Sequence, residues 1–469
     1  MGDDEKHNKR PDSGCCHVEF PQRISYERNG DIEVVKAGTL EGLVHNLTRP
    51  DKLDASFNRT FLTTYNYFTS GPELVQHLLH RFECPPPTTL SPSEASEWAA
   101  KPQPLVQLRV VNILRQWLET FWAEPTSPET HRNLLTLQLF AAHLAPTSDF
   151  SAAQQQLLEL IRCHLTGAER RKRSQPSISN PPKPILPRKL TKLQFLKIDP
   201  KEIARQLTLI ESSMFAKVQL RELMHKSWQK KDEGQDGLGP RAPNVRGLIR
   251  FFNQLSSWIG ALILAESDLK TRTQVIGHLV NVASACRDLQ NYSAVVSILS
   301  GLESAPIYRL GRTWAMVTER TCSILEPLQT LVSSDQNYQV YRNALRRSVP
   351  PCIPFLGLFL KDLVFIEDGN SATTSGGLIN FAKYSLLAST AHELQGFQQA
   401  SYNLQPVPEL QEYLTTQFQT AASDVHAMWE KSCELEPRGR GDQGRSRDTY
   451  TATGGMTTSM VVACMVLDD

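Results

Sequence analysis

The chain has 469 residues, 40% hydrophobic and 21% charged, and its 50 Lys and Arg against 49 Asp and Glu leave a formal net charge of +1. That length suits two or three domains with cores of their own, and the balanced charge gives no global field that would draw the chain to nucleic acid. The nine cysteines are odd in number and never spaced as CxxC, which suggests neither a disulfide framework nor a zinc site and fits a reducing, cytosolic compartment.

In chain order, residues 1–34 read as a disordered head: MGDDEKHNKR has no apolar signal core, and Lys6 stands where a myristoylation motif needs Ser or Thr. Residues 35–165 form a helical block, with spaced Leu, Phe, Val and Trp over Phe57 to Phe68, Gly71 to Phe82, Leu105 to Trp122 and Ser151 to Leu165. A proline-rich loop, CPPPTTLSPSE, interrupts it from Cys84. Residues 166–192 are a basic, proline-rich linker. Its run RRKR at 170–173 reads as a solvated charge cluster; weak contact with an anionic membrane or a nuclear-import patch are the alternatives, and Ser174 suits a basic-directed kinase.

The second block covers 193–436. Phe251, Phe252, Leu255, Trp258, Ile259, Leu262 and Ile263 make one broad helical face. Val275, Ile276, Leu279, Val280, Ala283 and Cys286 repeat the pattern, as do Val295, Val296, Leu299 and Leu302 after the turn-like Leu289-Gln290-Asn291. The longest apolar run, Trp258 to Ala265, falls far short of the ~20 residues of a membrane span. Residues 437–469 are polar, glycine-rich and expected to be a disordered tail, and Cys464 is not a prenylation site because Asp468 and Asp469 follow its box. No strand alternation of comparable length appears, so the fold class is all-α. No GxxxxGK[ST], GxSxG or HExxH occurs.

Six segments of the second block carry a resemblance: DPKEIARQLTLIES (199–212), ELMHKSW (222–228), NVRGLIRFFNQLSSWI (244–259), NYSAVVSILSGLESAPIYRLGRTW (291–314), PPCIPFLGLFLKDL (350–363) and LINFAKYSLLA (378–388). In this order they resemble the catalytic domain of Ras-family guanine-nucleotide exchange factors (RasGEF). In the first block LEGLVHNLT (40–48), FLTTYNYFTSGPELVQHLLHRF (61–82) and LRVVNILRQWLETFW (108–122) resemble the Ras exchanger motif that precedes that domain. The cadence is closest to fungal members and to son-of-sevenless.

The resemblance implies an all-α exchanger-motif block followed by a larger catalytic domain with a protruding helical hairpin, here Pro354 to Asn370 and Gly377 to roughly Gln399. It implies a Ras-subfamily small GTPase as partner, preferred in its nucleotide-free form, and no cofactor, metal, nucleic acid or covalent chemistry. The hairpin displaces switch I and disturbs the magnesium site. By position Val364 matches the apolar wedge and Asp368 the carboxylate, each shorter than the Leu and Glu common in the family, with Glu367 beside it to share the role. The same matching assigns switch II contact to Ile249, Arg250, Tyr338 and Phe355, with Trp228 and Glu303 as further contacts. The first block is expected to brace the hairpin, and in some relatives it helps form a second, regulatory GTPase site. The implied location is cytoplasmic, with recruitment to the membrane where the GTPase is anchored. A Rap- or Ral-directed exchanger and a non-catalytic GTPase-binding scaffold are the alternatives. Apart from the resemblance, Val295, Ile298 and Leu299 read as core, Trp228 and Phe355 as core or interface, and Asp368 as a helix-terminal residue with local hydrogen bonds.

Overall fold

A computed structural model of the chain describes residues 24–30, 32–83, 91–124, 127–144, 151–167, 180–190, 193–230, 241–421 and 424–437. Most of the expected head, linker and tail, with the basic run at 170–173 and Ser174, lies outside them. The elements are β1 (Ile24–Asn29), β2 (Ile32–Gly38), α1 (Leu40–Leu47), α2 (Ala55–Thr64), α3 (Gly71–Phe82), α4 (Pro92–Ala100), α5 (Pro102–Gln116), α6 (Pro128–His143) and α7 (Ser151–Thr166). Then follow α8 (Pro200–Phe215), α9 (Pro243–Leu264), α10 (Leu269–Asp288), α11 (Tyr292–Leu302), α12 (Ala305–Tyr308), α13 (Gly311–Ala315), α14 (Glu319–Val332), α15 (Asp335–Arg347), α16 (Leu356–Gly369), α17 (Phe381–Gly396), α18 (Pro408–Thr420) and α19 (Val425–Leu435). The fold is helical, as expected from the periodicity.

The chain divides into two compact units, one of Met1–Lys172 with Asn370–Ala388 and the other of Arg173–Gly369 with Ser389–Asp469. In the first, the β1–β2 hairpin pairs antiparallel from Ile24↔Gly38 to Asn29↔Ile32. It corrects the expectation of a disordered head reaching residue 34. Asn29-Gly30, with Gly30 at φ +63°, supplies the turn a tight hairpin requires. The helices of this unit begin where short polar side chains cap them: Thr39 accepts from Gly42 N–H, Asp54 from Phe57 N–H and Ser127 from Thr130 N–H. α4 was hidden in the proline-rich loop, where Ser91 and Glu94 form a capping box. Leu43, Phe61, Leu62, Leu74, Leu78, Leu114 and Trp117 fill the core.

Residues 370–388 belong to this first unit although the sequence reading gave them to the second block. Their aromatic rings explain the placement. Phe381 packs on Phe57 with centroids 4.7 Å apart, Tyr384 lies 5.1 Å from Phe68, and Ile379 exchanges backbone hydrogen bonds with Gly38.

The second unit is built around α11, every residue of which is buried, including Val295, Ile298 and Leu299. The three stripes read from the sequence on α9, α10 and α11 face inward, with Leu262 alone half-buried among them. α9 and α11 approach closely at Gly301, where a Cβ would stand 2.6 Å from Ile259 Cβ and 2.7 Å from the Ser256 carbonyl oxygen. Ser297 donates to the Phe252 carbonyl across the same contact. The unit closes at Glu436, whose carboxylate accepts from the N–H groups of Arg312 and Thr313 and from the Thr313 hydroxyl.

Among the described residues several buried side chains carry a polar atom without a partner, and one of them is a carboxylate. Glu211 on α8 is 2% exposed, and its Oε2 has no hydrogen-bond partner among the described residues. Burial pushes its carboxyl up from 4.5 to about 7, against the opposing pull of Ser293 and Asn291.

Two predictions follow from this packing. Gly301→Ala should cost about 1–3 kcal/mol in chemical denaturation through overpacking, whereas Gly311→Ala, with open space around it, should cost nothing measurable. Unfolded chains release the Glu211 proton near pH 4.5 while the folded chain keeps it to about pH 7, so this group's contribution to stability falls as pH rises through that window and is level above it. Glu211→Gln should flatten that slope and exceed the parent at pH 8 by on the order of 1–3 kcal/mol. An unchanged slope would assign the pH dependence to other groups.

Candidate functional site

The start of α16 is fixed by a backbone clasp. Ile353 N–H donates to the Gln290 carbonyl at 3.0 Å, and the Ile353 carbonyl accepts from Tyr292 N–H at 3.0 Å and Ser293 N–H at 3.3 Å. Gln290 turns the chain there at φ +56°, and the Asn291 side chain caps α11 through Ala294 N–H. Two residues beyond the clasp, Phe355 N–H donates to the Tyr341 hydroxyl at 2.7 Å. Its ring packs on Phe252 with centroids 5.2 Å apart. About two helical turns further, the Arg342 guanidinium grips both oxygens of Asp362 at 2.7 and 2.8 Å and joins α15 to α16.

Burial then falls along α16. Leu356 through Leu360 and Leu363 are buried, Val364 and Glu367 are half-buried, Phe365 is 64% exposed, and the Asp368 side chain is 58% exposed. Val364 and Asp368 are four residues apart and share one face of the helix. The Asp368 carboxylate is held: Lys226 Nζ donates to Oδ1 at 2.6 Å. Lys226 is placed for this by an unusual backbone, since it and His225 both lie in the left-handed region, at φ +50° and +55°. Such residues cost about 1–3 kcal/mol each and persist only where the surroundings impose them. Burial, and then the nearby Lys230, hold the His225 imidazole down at about 4, so it adds no charge beside the Lys226 ammonium near neutral pH.

Of the other residues assigned by resemblance, Ile249 and Phe355 line one cavity of about 20 Å³ together with Glu211, Phe252 and Gly357, room for a single water. Arg250 follows Ile249 on α9 and is exposed. Tyr338 is 2% exposed and lies under the Lys361 ammonium, 5.3 Å from its ring centre, which ties it to α16. Trp228 is buried two residues after Lys226, and its carbonyl accepts from Arg246 Nε. Glu303 stands at the C-terminal end of α11 and accepts from Gln329 of α14 at 3.0 Å.

Sequence reasoning missed Phe365 and Lys226. Phe365 had a signal: it falls off the inward stripe Leu356, Phe359, Leu360, Leu363, so a helix buried on that face must turn it outward. Lys226 had none, because its partner is 142 residues away. The thiols of this unit are poor nucleophiles where buried, since burial pushes Cys352 up to about 12 and Cys286 higher still. Among the described residues no group of three or more His, Cys, Asp or Glu side chains could hold a metal ion, and no helix is long and apolar enough to cross a membrane.

Residues 202–385 match the profile of the RasGEF domain, and residues 34–140 match that of the RasGEF N-terminal motif. The chain is 32% identical over 410 residues to Ras guanine nucleotide exchange factor J of Dictyostelium discoideum, covering 87% of this chain and 48% of that protein. It is 32% identical over 436 residues to cell division control protein 25 of Candida albicans, covering 91% of this chain and 32% of that one. With Ras-specific guanine nucleotide-releasing factor 1 of Rattus norvegicus it shares 36% identity over 237 residues, 50% of this chain and 18% of the relative. The chain thus spans about half the length, or less, of these relatives. A RasGEF N-terminal motif and a RasGEF domain follow one another along it, and the chain belongs to the RasGEF family.

Proposed function

We propose that the chain promotes GDP release, and hence GTP loading, on a Ras-subfamily small GTPase, by placing the outer half of α16 against the partner's switch I and magnesium site. The observation that carries this reading is the fall in burial along α16 from a pinned start to an exposed end bearing Val364 and Asp368 on one face. A helix clamped at its base and bare at its tip can act as a wedge without rearranging its own domain.

In this reading Val364 displaces apolar contacts near the magnesium position, and Asp368, assisted by Glu367, offers negative charge where the nucleotide phosphates bind. Arg250 and Phe365 meet the partner directly. Trp228, Ile249, Tyr338 and Phe355, each 5% exposed or less, shape the surface from beneath, and Glu303 borders it. The chain makes no covalent bond. It binds the nucleotide-free GTPase better than the loaded form, and linkage then requires it to weaken nucleotide binding by the same factor. Its place of action is the membrane face on which such a GTPase is anchored.

The test is release of labelled GDP from purified Ras-, Rap- and Ral-type GTPases. The Ras-type protein should be accelerated, and the double variant Asp368→Ala, Glu367→Ala should lose at least about tenfold of that rate, a barrier change of roughly 1.4 kcal/mol, at an unchanged melting temperature. Acceleration of a Rap- or Ral-type protein alone would reassign the client. Binding of nucleotide-free GTPase without any acceleration would make the chain a scaffold and overturn the proposal.

A further inference from the structure

The cavity of about 20 Å³ beside Phe355 gathers the ends of four elements of the second unit. Glu211 reaches it from α8, Ile249 and Phe252 from α9, Ser293 from the first turn of α11, and residues 353–357 from the lead and first turn of α16. Only the Glu211 carboxylate and the Ser293 hydroxyl are polar among the side chains of this wall. Glu211 is 2% exposed, and its Oε2 has no hydrogen-bond partner among the described residues.

The backbone of the same wall has the complementary need. α16 opens at Leu356, and the first N–H groups of a helix find no partner within it. Asp268 and Asn291 cap α10 and α11 with their side chains, but Phe355 stands in that place before α16 and carries no acceptor. Phe355 N–H is taken by the Tyr341 hydroxyl at 2.7 Å, and Leu358 N–H by the Phe355 carbonyl at 3.4 Å. Between them, the N–H groups of the buried Leu356 and Gly357 donate to no carbonyl or side chain among the described residues. One acceptor and two donors without partners thus belong to residues lining one water-sized cavity, and a buried water ordinarily makes about three hydrogen bonds.

We propose that Glu211 caps α16 through a single bound water and is thereby a positioning residue for the exchange reaction, an inference that rests on the exchange reading. The water accepts from Leu356 N–H and Gly357 N–H and donates to Glu211 Oε2. The carboxylate then lies at a helix N-terminus, where the macrodipole favours negative charge. This cap ties the first turn of α16 to α8, whereas the clasp ties its lead to α11 and Arg342 ties its second half to α15. The wedge end so takes its direction from three neighbours. An apolar side chain at 211 would relieve the burial of a carboxyl group but leave the first turn of α16 uncapped.

The test pairs Glu211→Leu with Glu211→Gln, which keeps an acceptor oxygen, in labelled-GDP release from a Ras-type GTPase by the full chain. Glu211→Leu should lose at least about fivefold of the acceleration at a melting temperature that holds or rises, while Glu211→Gln stays within about twofold of the parent. In the free chain, hydrogen exchange of the Leu356 and Gly357 amides should quicken at least about fivefold in Glu211→Leu and not in Glu211→Gln. This second readout needs no GTPase: a parent that accelerates none would sink the exchange reading and leave the cap to be judged by the two amides. A crystal structure of the parent chain should show one ordered water within about 3.2 Å of Glu211 Oε2 and of the Leu356 or Gly357 nitrogen, so the outcome does not hang on either variant folding. No such water, unchanged exchange of the two amides in Glu211→Leu, or an equal loss of acceleration in both variants would overturn the proposal.

Discussion

The clasp of Ile353 between Gln290 and Tyr292 is the constraint on which the site depends. It joins two segments far apart in sequence, the all-buried α11 and the strand-like lead into α16, with backbone groups that no substitution short of proline removes. Once Ile353 is fixed, Phe355 must reach Tyr341 and Phe252, and α16 must begin with its apolar half on the core. The outer half is then exposed because the core has run out beneath it. The apolar stripe of α16 ends at Leu363, one residue before the side chain proposed as the wedge.

Two ion pairs on α16 differ in a way that suits a lever. Arg342 and Asp362 form a two-pronged pair with side chains 27% and 26% exposed, near the clamped end. Lys226 and Asp368 share a single bond, with side chains 28% and 58% exposed. Exposed pairs of the second kind contribute about 0–1 kcal/mol, so a partner can take over Asp368 at little cost while the base stays locked. The unsatisfied Glu211 lies on the wall of the small cavity beside Ile249 and Phe355, a polar imperfection where a pure core would have been more stable.

What the sequence made legible was periodic and local. The stripes on α9, α10 and α11 and the turn at Leu289-Gln290-Asn291 can be read from spacing and residue type alone. The β1–β2 hairpin was missed although Asn29-Gly30 signalled its turn, because a short, largely polar alternation gives a weak strand signal. α4 was missed because proline density masked the Ser91 cap. The membership of 370–388 in the first unit and the Lys226–Asp368 bond were beyond reach, since both depend on partners that only the folded chain brings near.

The most direct test of the lever is hydrogen exchange on the intact chain with and without a nucleotide-free Ras-type GTPase. Amides of residues 364–370 should gain protection, together with those around Arg250, while α10 and α14 stay unchanged. Protection elsewhere with none over 364–370 would contradict the account, because the end of α16 would then be no part of what the partner meets.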